Sequence, residues 1–95
     1  MLTTEKYNTA AAIAGTDDNS SAVVIEYITM PHTIRSSVTE QVLQRIQASG
    51  LSLEEYIAQN RKDLKAFAEK NTMSLTTLTA FLLDCQEENG TGRSV

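Results

Sequence analysis

Ala22-Val23-Val24-Ile25-Glu26-Tyr27-Ile28-Thr29-Met30 is the stretch on which the fold turns. It is rich in β-branched and aromatic residues and apolar on both faces apart from Glu26, the composition that favours extended backbone. Pro31, which has no N–H to give to a ladder, closes it. Residues 22–30 therefore read as a strand. A single strand cannot satisfy its own backbone groups. Either residues 5–14 fold back to pair with it, or a second copy of the chain supplies the neighbour; the second option is slightly favoured, and it makes a homodimer the expectation. Residues 4–14 read equally as a short alanine-rich helix stopped by Gly15 or as an extended segment, and 15–21 reads as a polar loop.

Working toward the C-terminus, His32-Thr33-Ile34-Arg35-Ser36 is a second, weaker extended stretch that runs into Ser37. Ser37, Ser52 and Ser74 each open a run of helically spaced apolar residues. Ser37-Val38-Thr39-Glu40 and Ser52-Leu53-Glu54-Glu55 have the form of capping boxes, in which the serine oxygen accepts from the N3 amide and the glutamate reaches back. Leu51 before Ser52 and Met73 before Ser74 are placed to clasp Tyr56 and Leu78 as hydrophobic staples. Three helices follow, over about 38–49, 53–70 and 75–88. Gly50 ends the first, Asn71 is a left-handed stop for the second, and Asn60 interrupts the second helix's apolar stripe.

The 95-residue chain carries eight basic and twelve acidic residues, for a net charge of −4. Arg35, Arg45, Arg61, Lys62, Lys65 and Lys70 fall among five acids between positions 35 and 70, leaving that stretch at +1. A nucleic-acid binder usually shows a larger basic excess. The single cysteine, Cys85, excludes an internal disulfide and fits a reducing compartment. No basic, apolar leader opens the chain and no apolar run has the length of a membrane span, so a cytoplasmic location is expected. His32 is the only histidine, and no His, Cys and Asp spacing offers three or four converging metal ligands. No glycine-rich phosphate loop or positioned carboxyl pair is present. Neither cofactor nor metal is expected, nor enzymatic activity.

Thr33-Ile34-Arg35-Ser36-Ser37-Val38-Thr39-Glu40, with Val42-Leu43-Gln44-Arg45-Ile46-Gln47-Ala48-Ser49 and the turn Gly50-Leu51-Ser52 into Leu53-Glu54-Glu55-Tyr56-Ile57, resembles the ribbon-helix-helix family of repressors and antitoxins. The resemblance spans residues 33–60. It implies a ribbon built from two chains whose alternate strand side chains enter the major groove. Carried over, Thr33, Arg35 and Ser37 would face bases, and the free amides at the Ser52 helix start would hold a phosphate. A helix-turn-helix reading instead places Thr76, Thr77 and Thr79 against a groove.

The sequence thus predicts a mainly α fold with a minor β element: one strand at 22–30 and three consecutive helices. It divides into a weakly structured segment over 1–21, one globular domain over 22–89 and a disordered tail over 90–95. The leading expectation is a small non-enzymatic DNA-binding transcription regulator of the phage, plasmid or antitoxin type. The alternative is a protein-binding inhibitor or adaptor acting through a helical surface, with Arg61, Lys62, Lys65 and Lys70 available to an anionic partner.

Overall fold

The computed structural model describes residues 3–15 and 20–93, with side chains described at 3–15 and 21–86. Among these residues all regular structure is helical: α1 (Thr4–Ala14), α2 (Ser20–Thr29), α3 (His32–Ser49), α4 (Leu53–Gln59), α5 (Arg61–Lys70) and α6 (Leu75–Arg93). The loop expected over 15–21 falls largely at 16–19, outside the described residues, as do 94 and 95 of the expected tail.

The expected strand at 22–30 is corrected to helix α2. A short apolar run with large residues on every side fits a buried strand and a buried helix equally, so periodicity alone cannot separate them. The propensity penalty for Val and Ile in a helix is at most about 0.7 kcal/mol per residue, which tertiary contacts readily exceed. Val23 and Tyr27, one turn apart, are buried, and the Tyr27 ring lies 5.2 Å from that of Phe81 on α6. Being a helix, α2 bonds its own backbone, so no second strand is needed from residues 5–14 or from another copy.

Residues 4–14, which the sequence left open between helix and strand, form α1. Thr3 caps it by accepting from the Lys6 amide at 3.1 Å, and Gly15, at φ 67°, closes it with a bond to the Ala11 carbonyl. Ala10 and Ala14 are fully buried, and among the described residues α1 packs chiefly against α6, with α4 as a second neighbour.

The extended stretch expected at 32–36 is corrected as well. Pro31, at φ −59°, supplies the fixed dihedral that suits a helix start, and α3 begins at His32 instead of after Ser37. Ser37 is therefore an exposed residue inside α3, where its carbonyl accepts from the Gln41 amide group. Val38, Val42 and Ile46 form the buried face of α3, and Gly50 at φ 74° ends it.

Ser52 caps α4, its side chain accepting from the Glu55 amide at 3.2 Å. The single helix expected over 53–70 is divided at Asn60. There the side-chain Nδ2 donates to the Tyr56 carbonyl at 2.9 Å and φ moves to −123°, the local competition that makes Asn a poor helix interior residue. The stop expected at Asn71 falls instead on Thr72, which takes the left-handed φ of 58°. Its amide bonds to the Glu69 carbonyl and the next amide, of Met73, to that of Ala68, the Schellman closure.

Ser74 opens α6, accepting from the Thr77 amide at 3.2 Å. Every residue from 75 to 82 is buried, because α1, α2, α3 and α5 all pack on this helix. A helix covered on all sides shows no amphipathic stripe. The Thr76, Thr77 and Thr79 hydroxyls, read from sequence as facing a groove, are enclosed here, with Thr79 donating to the Leu75 carbonyl at 2.8 Å. The helix expected to end near Glu88 continues to Arg93.

Candidate functional site

Burying Val23 and Tyr27 fixes which way α2 faces, and the third residue it turns inward, Glu26, is charged. The Glu26 carboxylate accepts from the Ser74 amide at 3.1 Å and the Thr77 hydroxyl at 2.7 Å. It thereby occupies the positive end of α6. With these residues turned inward, helical spacing sends Ser21, Val24, Ile25 and Ile28 outward at i, i+3, i+4 and i+7. Val24, Ile25 and Ile28 are 37%, 60% and 71% exposed, and Ile34, at the start of α3, is 44% exposed. These are the exposed large hydrophobic residues among the described side chains. No ionisable side chain stands on this outer face of α2: between Ser20 and Ile34 the charged or titratable residues are Glu26, Tyr27 and His32, of which the first two point inward and the third belongs to α3.

A polar cluster anchors the same helix from behind. Asp84 on α6 forms an ion pair with Lys6 of α1 through one oxygen and accepts from the Tyr27 hydroxyl through the other. Burial, and then the hydrogen bond to the Asp84 carboxylate, push the Tyr27 phenol up to about 12. A phenol held neutral through the physiological range is a hydrogen-bond donor rather than a base, so the cluster ties three helices together. Its residues lie 57 and 78 positions apart, and no local pattern announces such a meeting.

The residues singled out from the sequence are dispersed. Thr33, Arg35 and Ser37 would alternate along one face of a strand, but on α3 Arg35 turns to the side opposite Thr33 and Ser37, about 100° of rotation being added per residue. Thr33 and Ser37 are exposed; Arg35 is half-buried, its guanidinium 5.6 Å from the centroid of the Phe81 ring. Ser52 lies beyond the other end of α3, roughly 20 Å along the axis from Arg35, and its hydroxyl is engaged by the Glu55 amide. These four residues do not form one site.

Arg61, Lys62, Lys65 and Lys70 are exposed on α5. Helical rotation puts Lys70 about half a turn of the circumference from Arg61, and it sets Glu69 between Lys62 and Lys65. Arg61 reaches across the end of α1, its Nη2 donating to the Ile13 carbonyl at 3.4 Å. That contact supplies positive charge to the C-terminus of a helix whose own last turn holds none.

His32 is exposed at the start of α3, and Cys85 is half-buried on α6 beside Thr39, Glu40 and Leu43 of α3. Among the described residues no group of three or more His, Cys, Asp or Glu side chains could hold a metal ion, and no helix is long and apolar enough to cross a membrane.

The outer face of α2 is the part of the site that sequence reasoning missed. Its signal was already in the 22–30 run: wound as a helix, that segment has more large apolar residues than one buried face can absorb. Comparison of the chain with protein-family models, with curated proteins and with solved structures finds no match.

Proposed function

We propose that the protein is a non-enzymatic protein-binding module whose contact surface is the outer face of α2, extended by Ile34. The observation that carries this reading is the exposure of Ile25 and Ile28, at 60% and 71%, on a helix whose other side is locked to the bundle. A helix apolar on all sides is ordinarily covered on all sides, and contiguous exposed apolar surface rimmed by polar residues is characteristic of a protein contact. The polar anchors behind α2 hold that surface in place, which limits the ordering cost of binding.

Photocrosslinking tests this. A photoreactive residue at position 28 should yield discrete protein adducts, with this chain or with another, while the same group at Lys62 should not. Adducts to nucleic acid from Lys62 or Lys65, with none to protein from position 28, would overturn it.

A DNA-binding regulator is the second reading, favoured by the exposed Lys62 and Lys65 on adjacent turns of α5. It predicts duplex binding that weakens steeply with salt. Lys62→Ala and Lys65→Ala should each reduce that slope, and absence of binding at low salt would remove the reading.

A further inference from the structure

From the distribution of size and charge along α2, we infer that the partner of its outer face is a second copy of the chain, joined through an antiparallel α2–α2 contact about a two-fold axis. The inference rests on the protein-binding reading of the same face and names its occupant.

Three observations carry it. First, the face offers no cation to a phosphate backbone or to an anionic lipid surface, both of which are held by Lys and Arg. Second, each chain carries a net charge of −4, so two copies repel over most of their surfaces. The outer face of α2 holds no charge, and two copies can meet there without opposing like charges. Third, residue size rises along the stripe from Ser21, through Val24 and Ile25, to Ile28. An antiparallel pair centred between Val24 and Ile25 sets Ile28 of each copy over Ser21 of the other and Val24 across from Ile25. Large then meets small, as packing at interior density requires. A parallel pair would crowd isoleucine against isoleucine at one end and leave a gap at the serines. The antiparallel arrangement also opposes the two helix dipoles favourably, and it is isologous, the commonest form of dimer.

The contact is confined to one face of a ten-residue helix, so the dimer forms reversibly and its population rises with protein concentration. Sedimentation equilibrium of the full chain at high concentration should give twice 10.4 kDa. Ile25→Asp should return it to 10.4 kDa with its far-UV helical signal unchanged. Should that variant fail to fold, cysteine pairing decides the matter. With Cys85→Ser in both chains, mixing a Ser21→Cys chain with an Ile28→Cys chain under mild oxidation should give the heterodisulfide. Homodisulfides of the Ile28→Cys chain in its place would overturn the antiparallel contact. A wild-type chain that stays monomeric overturns the dimer. If position 28 then still crosslinks to a different protein, the protein-binding reading survives; if it crosslinks to none, both fall.

Discussion

The Thr77 hydroxyl donates to Glu26 Oε1 at 2.7 Å, fastening α2 to the first turn of α6. The same oxygen accepts from the Ser74 amide, one of the donors that a helix start leaves without an intrahelical partner. Glu26→Ala removes both bonds and the negative charge at that helix end, and should cost about 1–2 kcal/mol in urea unfolding. Glu26→Gln keeps an acceptor and should cost less. Equal losses for the two variants would mean that packing, not the acceptor, matters there.

Tyr27 makes stability depend on alkaline pH. Its folded pKa, pushed up to about 12, lies above the ordinary value of 10.0, so between those values the unfolded chain gives up this proton and the folded chain keeps it. The stabilisation is therefore complete below pH 10.0 and is lost as pH rises toward about 12. Tyr27→Phe keeps the ring against Phe81 but loses the bond to Asp84. It should cost about 1–2 kcal/mol at pH 7 and give a flatter stability curve than the wild type above pH 10. Parallel curves for the two proteins would contradict this assignment.

Thr72 occupies a position suited to glycine. A β-branched residue at φ 58° is strained, and the left-handed region costs roughly 1–2 kcal/mol for an L-residue. Thr72→Gly should stabilise the fold by about 1 kcal/mol after the extra freedom of the unfolded chain is counted. The melting temperature should then rise by about 4–8 °C.

Gly15 faces two constraints, which a double-mutant cycle separates. Its φ is 67°, and an added Cβ would stand 2.8 Å from Cζ of Arg61. Gly15→Ala should therefore cost the roughly 1 kcal/mol of the dihedral, plus the bond from Arg61 to the Ile13 carbonyl when the flexible guanidinium is pushed aside. In an Arg61→Ala background the guanidinium is gone and only the dihedral cost should remain. Thermal denaturation of the four proteins measures the difference, and additive losses would show that Arg61 moves aside freely.

The helix starts at Ser52 and Ser74 were legible because a cap is a local device: a short side chain meets an amide three residues on. So was the closure at Gly50, which needs only a residue at ease with a positive φ. The Ser37 box misled because the same pattern can sit inside a helix that Pro31 has already begun. Residues 22–30 misled for a different reason. Their β-branched content argued for a strand, while the contacts that wind them into α2 come from Ser74, Thr77, Phe81 and Asp84, far along the chain. Asn60 was visible as a polar intrusion in an apolar stripe, although only the structure shows its amide turning back on Tyr56. Of the candidate site, Ile25 and Ile28 could be read as apolar but not as exposed, since exposure depends on which side of α2 the bundle takes.

Because α6 is the helix that α1, α2, α3 and α5 share, the order of synthesis sets when this protein can fold. α1 ends at Ala14 and its chief neighbour begins at Leu75, so on the ribosome α1 waits for α6. Until then the nascent chain lacks the hub that would shield its valines and isoleucines, and closure is a late, collective event driven by contacts distant in sequence.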